Sequence, residues 1–238
     1  EIASCLVGSE MCIRDSTYNL RVIYDAAHAF GVQDEGGSIL RHGDMSVLSF
    51  HATKVFNTFE GGAIVCKDAT TKTRIDQLKN FGHVGEVTVV APGINGKMSE
   101  FNAALGLLQL KHLHTALDLR RAIDVAYRRL LADVPGIVCL PDAGESVANF
   151  AYFPILVGPE YRLSRDELYA HLKEHGVHPR RYFYPLISEF PMYRGLPTAS
   201  RDQLPNASRA ADRILCLPIY PDLGLDQVER IVDLIAAL

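Results

Sequence analysis

Apolar residues in the first half of the chain come in short runs that end on polar or glycine-rich turns. Arg21 to Tyr24 (RVIY) runs into Asp25, Ser46 to Phe50 (SVLSF) runs into His51, and Ala63 to Cys66 (AIVC) is entered through Gly61-Gly62. Short continuous apolar runs bounded by turns are the pattern of buried parallel strands. Asp68 then opens a helix expected to reach about Phe81, closed by Gly82 as a C-cap. Val84 to Met98 is of mixed polarity, with Gly85, Pro92, Gly93 and Gly96, and reads as loop. From Ser99 to about Val134, Phe101, Leu105, Leu108, Leu113 and Leu117 recur at roughly helical spacing, until Pro135-Gly136 stops the pattern. Arg120, Arg121, Arg128 and Arg129 are expected on its solvated face. The pattern allows one long helix joining two lobes or two shorter ones.

Beyond that helix the texture changes. Strand candidates at Ile137 to Leu140, Phe150 to Val157 and Val177 to Tyr182 alternate with helix candidates at Ser164 to Glu174, about Pro205 to Arg213, and Leu225 to Leu238. Ser164 with Glu167 is a capping-box pair. The expectation is an α/β protein whose boundary falls inside the long helix. Residues 17–115 form part of a parallel-sheet domain and residues 116–238 a smaller α+β domain.

Composition narrows the class. Hydrophobic content of 48% and charged content of 22% are ordinary for a globular chain of 238 residues. A net charge of −4 without a long basic run argues against nucleic-acid binding, and no apolar stretch approaches the ~18 residues that span a bilayer. Cys5, Cys12, Cys66, Cys139 and Cys216 lack metal-like or disulfide spacing and read as reduced cysteines of a cytoplasmic protein. Residues 1–16 (EIASCLVGSEMCIRDS) show neither amphipathic period nor signal-peptide design. Leu6 to Ser16 resembles a translated sequencing-adapter tract, so this leader is expected to be non-native.

Two positions stand out chemically. Lys54 follows a strand candidate and precedes the Gly61-Gly62 turn, and Asp25 ends another strand candidate. Alone, Lys54 reads as a surface lysine and Asp25 as a strand-end carboxylate. Their context is more specific. Asp25-Ala-Ala-His28-Ala-Phe-Gly31, Ser49-Phe-His-Ala-Thr-Lys54, Glu60-Gly-Gly62 and Gly93-Ile-Asn-Gly-Lys-Met-Ser-Glu100, with Phe101-Asn-Ala-Ala-Leu-Gly-Leu-Leu-Gln-Leu110, resemble the DegT/DnrJ/EryC1/StrS sugar aminotransferases. The motifs occur in the family's order, Arg181-Tyr-Phe-Tyr-Pro185 fits its C-terminal lobe, and the resemblance covers about residues 18–238.

The resemblance implies an aspartate-aminotransferase-like (fold type I) large domain and pyridoxal 5'-phosphate as cofactor. It makes Lys54 the Schiff-base lysine and Asp25 the partner of the pyridine nitrogen, the acid that keeps the ring electron-withdrawing. A free lysine amine is protonated and poorly nucleophilic near neutral pH, which imine formation with an aldehyde in a partly desolvated pocket overcomes. His28, where many members carry Gln, lies beside the ring or is a packed polar residue. Ser49 binds the cofactor phosphate or satisfies local backbone groups. Asn95 reaches the phosphate of a neighbouring subunit, implying a homodimer with shared active sites, or is a turn residue beside Gly96. His51, Tyr182 and Tyr184 are candidates for the substrate side, with packing roles as the alternative. Lys97 stands where many members have Arg. His171 and His175 share a helix face, but no third ligand completes a metal site, and none is expected.

The implied reaction aminates a nucleotide-linked keto-deoxysugar, dTDP-4-keto-6-deoxyglucose, with L-glutamate as donor. The alternatives are a sugar 3-aminotransferase of the same family and a non-catalytic cofactor-binding or regulatory protein. Lys54 argues against the family's dehydratase branch, which lacks this lysine. Family members carry a substantial segment before the Asp25 strand. The expectation is therefore that this chain, by itself, is inactive, binds the cofactor poorly and leaves strand edges unpaired.

Overall fold

The computed structural model describes residues 17–141 and 147–238. The expected leader, residues 1–16, lies outside the described residues. Two compact units are present, residues 17–114 with 147–149 and residues 115–141 with 150–238.

In the first unit, β1 (Ile23–Asp25) is followed by a short antiparallel pair, β2 (Gln33–Asp34) and β3 (Gly37–Ser38). Then come β4 (Met45–Ser49), β5 (Gly62–Cys66), α1 (Ala69–Leu78), a second small pair β6 (His83–Val84) and β7 (Thr88–Val89), and the start of α2 (Glu100–Leu131). β1 runs parallel to β4 with Asp25 opposite Val47, but β5 runs antiparallel to β4 with Ser49 opposite Gly62. The sheet is therefore mixed rather than purely parallel. Residues 50–61 contain no helix to carry the chain back across the sheet, so the segment doubles over instead. Phe50 N donates to Gly61 O at 2.8 Å and Thr58 N to Phe50 O at 2.9 Å. Gly62 is needed there, because a Cβ would lie 2.7 Å from Leu48 O.

Asp68 caps α1, its side chain accepting from Thr71 N, and Gly82 beyond the helix adopts φ +79°. The expected helix thus ends three residues early. The core of this unit is small: Ala26, Leu48, Phe50 and Phe56, with Phe30 and Leu113 packed against them. Other apolar strand positions are open to solvent, Ile23 at 58%, Val47 at 41% and Ile64 at 46% exposed. The expectation of fully buried strands fails for these positions.

α2 is a single continuous helix. Its apolar pattern is used unevenly. Phe101 is 91% and Leu108 54% exposed, whereas Ile123, Tyr127 and Leu131, spaced by four, are fully buried. Arg120 is also buried and not on a solvated face; it donates to Phe150 O and Ile219 O at 3.1 and 3.0 Å. A guanidinium can be buried when carbonyls occupy its donors.

The second unit continues with β8 (Ile137–Cys139), β9 (Phe153–Val157), α3 (Arg165–Glu174), α4 (Pro205–Arg213), β10 (Ile214–Leu217) and α5 (Leu225–Ala236). The strands form an antiparallel sheet in the order β10-β9-β8. Phe153, Ile155 and Val157 alternate inward along β9 onto Leu168 and Leu172 of α3, Leu215 and Leu217 of β10, and Val228, Ile231, Val232 and Ile235 of α5. The Ser164–Glu167 capping box forms as expected. Val177 to Tyr182 is not a strand, contributing only a bridge between Arg180 and Cys216, and β10 takes the sheet edge instead. Among the described residues no helix is long and apolar enough to cross a membrane.

Candidate active site

The end of β1, the turn after it and the loop after β4 bring the predicted cofactor residues together. Lys54 Nζ lies 3.0 Å from His28 Nε2. Asp25, at the last position of β1, accepts from Ala27 N at 3.1 Å, which shapes the turn leading to His28. Partial burial and the Lys54 charge lower the pKa of His28, opposed by Asp25. An imidazole held uncharged offers its Nε2 lone pair to an amine, so the contact is a hydrogen bond rather than a repulsion between cations.

Three rings hold the Lys54 loop. Phe50 and Phe56 flank the lysine in sequence and meet edge to face at 4.8 Å between centroids; Phe30 stacks on Phe56 at 4.3 Å. Lys54 N donates to His51 O at 2.9 Å. Ser49, on the last position of β4, accepts from His51 N at 3.3 Å through its hydroxyl. His51 is turned into its own loop, Nδ1 at 2.9 Å from Thr53 Oγ1 and Nε2 at 3.7 Å from Glu60. A cavity of about 60 Å³ behind Asp25, walled by Tyr24, Ala29, Ile39 and His42, has room for water and not for a coenzyme.

Asn95 is not part of this cluster. It is exposed in the loop before α2, bridges to Asn80, and has no hydrogen bond to Asp25, His28, Ser49 or Lys54 among the described residues. Tyr182 and Tyr184 belong to the second unit. Tyr184 lies against the Arg165 and Arg181 guanidinium groups at 4.6 and 5.7 Å, and Tyr182 meets Tyr152 edge to face at 5.5 Å. Arg181 is itself held by Asp166 at 2.9 Å. No group of three or more metal-ligating side chains occurs among the described residues.

Two asparagines at this site escaped sequence reasoning. Asn102, in the first turn of α2, donates to Thr58 O and, at 3.0 Å, to Glu60 O, securing the diglycine turn. Asn149 donates to His28 O and Phe30 O at 2.7 and 2.9 Å. Asn102 sits within a motif already noted and so carried a faint signal. Asn149 carried none, being 121 residues from the turn it grips.

An amine, a carboxylate, an imidazole and a hydroxyl thus converge at the ends of two adjacent parallel strands. That donor set fits an aldehyde cofactor with a basic ring nitrogen and a phosphate. Residues 13–236 match the profile of the DegT/DnrJ/EryC1/StrS aminotransferase family. A dTDP-4-amino-4,6-dideoxy-D-glucose transaminase of Shigella dysenteriae is 54% identical over 218 residues, covering 92% of this chain and 59% of its own length. A protein of the same description from Escherichia coli is 52% identical over 234 residues, covering 97% of this chain and 62% of its own. The solved structure of DesI in the presence of its TDP-sugar product superposes with a TM-score of 0.87 at 38% identity, over 95% of this chain and 57% of that one. The chain therefore spans about three-fifths of the length of these relatives, and it belongs to the DegT/DnrJ/EryC1/StrS aminotransferase family.

Proposed function

We propose that this chain carries the lysine-bearing side of a sugar-nucleotide aminotransferase site. The substrates are dTDP-4-keto-6-deoxyglucose and L-glutamate, and the site belongs to a cytoplasmic homodimer. The observation that carries the reading is the Lys54 amine held 3.0 Å from the His28 imidazole, beside the strand that ends in Asp25. The relatives' names supply the substrate class.

When bound, pyridoxal phosphate supplies an aldehyde that condenses with amines and a ring that accepts the electron pair left by a removed proton. The rest is the work of this chain. Lys54 would hold the cofactor through its amine and, with that amine free, would be the base that moves the proton. His28 keeps that amine placed between its two tasks. Asp25 pairs with the ring nitrogen, and the Ser49 hydroxyl binds a phosphate oxygen. Asn95, exposed and without a hydrogen bond to these groups among the described residues, serves the phosphate of the partner subunit's site. His51, Tyr182 and Tyr184 face the sugar nucleotide, with Arg165 and Arg181 bracing Tyr184.

Reductive trapping tests this reading. The full chain is treated with pyridoxal phosphate and borohydride and its peptides are weighed. Lys54 is expected to be labelled well ahead of the other lysines. Labelling spread evenly over the lysines would refute the assignment.

A further inference from the structure

Asn149 lies outside every motif that points to the site, yet it is the described side chain that grips the turn carrying His28. It is 7% exposed. Its amide nitrogen has two N–H groups, and two carbonyls take them, His28 O at 2.7 Å and Phe30 O at 2.9 Å. The segment that delivers it is itself fastened to this unit. Val147 N donates to Gln33 O at 2.9 Å and Gln33 N to Val147 O at 3.1 Å, so the returning chain pairs with β2.

The two gripped residues are the two that govern Lys54. His28 presents its ring to the amine. Phe30 packs on Phe50 and Phe56, which bracket Lys54 in the sequence, at 5.8 and 4.3 Å. Local turn bonds also shape the backbone between them, Ala29 N to Ala26 O and Val32 N to Ala29 O. Such bonds shape a turn without fixing where it points.

We propose that Asn149 is a positioning residue for the Lys54 amine: its carboxamide clamps the backbone on both sides of Ala29 and so sets the His28 ring against Nζ and the Phe30 ring against the Lys54 loop. The consequence for cofactor capture rests on the function proposed above. The placement of His28 does not. Without the clamp the turn swings, His28 separates from Lys54, and the amine loses its acceptor. Partial burial and the Lys54 charge hold the His28 pKa below its ordinary value near 6.5, and the Asp25 carboxylate works against them.

The test uses the full chain with Asn149→Ala and the milder Asn149→Ser, which keeps one donor and serves if the alanine variant does not fold. Magnetic-resonance titration of the His28 imidazole, without cofactor, is the first readout. Its midpoint is expected to move upward in Asn149→Ala, as the ring leaves its partly buried, cation-facing position. The second readout is the rate of pyridoxal phosphate trapping at Lys54, expected to fall about tenfold in the alanine variant and less in the serine variant. In a His28→Ala background, Asn149→Ala is expected to slow trapping much less than tenfold, since the route through His28 is gone. An unmoved His28 midpoint in a folded variant overturns the clamp, and so do fully additive losses in the double variant. If Lys54 of the unsubstituted chain is not trapped at all, the proposed function fails while the His28 midpoint still decides the clamp.

Discussion

The two units solve the problem of burial differently. The second closes a core in which the inward faces of a three-stranded sheet meet α2, α3 and α5, and Tyr127, Ile155, Leu168, Leu172, Leu215, Val228 and Ile235 are fully buried. The first gathers only Ala26, Leu48, Phe50 and Phe56, and leaves Ile23, Val47, Ile64 and Phe101 in solvent. At roughly 25 cal/mol for each Å² of apolar surface removed from water, the second unit draws far more of its stability from burial. The first relies on particular polar ties, such as those of Asn102 and Asn149. Stability and chemistry are thus assigned to different parts of the chain. The unit with the candidate site has little apolar core beside its directional bonds, whereas the other adds a large apolar core to bonds such as those of Arg120 and Tyr161.

Four substitutions or conditions sharpen this contrast, beginning with the largest effect. Lys54→Ala is expected to remove the pyridoxal phosphate adduct that borohydride traps at that position, because the amine that forms the imine is gone. The amide hydrogen exchange of the second unit is expected to stay unchanged. Equal exchange changes in both units would break the division of labour. Next, Leu215→Ala deletes a fully buried side chain from the central core of the second unit. It is expected to cost about 2–5 kcal/mol in denaturant unfolding of that unit while leaving Lys54 trapping intact. A loss below 1 kcal/mol would show that the core is looser than its burial implies.

Smaller still is Asn102→Ala, which leaves the Thr58 and Glu60 carbonyls without their donor. A cost of about 1–3 kcal/mol is expected, seen as faster exchange around Gly61 and Gly62 and not in α5. The smallest effect is that of pH. Because folding lowers the pKa of His28, the folded chain binds fewer protons there than the unfolded chain between the lowered value and about 6.5. The stability contribution is present above about pH 6.5 and is lost as pH falls through the folded value. Unfolding of the first unit followed from pH 7.5 to 5 should show this dependence, and His28→Gln should remove it. Persistence in the glutamine variant would assign it to another group.

Much of the site is legible in the residues alone because its parts are short and local. Asp25 with His28, Ser49 with Lys54, and the Gly61-Gly62 turn each sit within seven residues of a strand end, where backbone connectivity already fixes which groups are neighbours. The Ser164–Glu167 cap and the helical spacing of apolar residues along α2 were readable for the same reason. Longer-range features were not. A hydrophobic run does not say whether its neighbour in the sheet is parallel, so β5 could not be oriented from Ala63 to Cys66. The 177–182 and 214–217 segments competed for one sheet edge, and only packing against β9 selected the second. Arg120 looked solvated because its charge was visible and the carbonyls of Phe150 and Ile219 were not.

By itself, then, the sequence determined most of the elements and the family, since these depend on periodicity or on motifs a few residues long. Tertiary structure alone decided the mixed sheet, the burial of Arg120, the 3.0 Å meeting of Lys54 with His28, and the grip of Asn149 on a turn 121 residues away. Such contacts join groups whose separation along the chain carries no trace in local composition, and they form only when the whole backbone is in place.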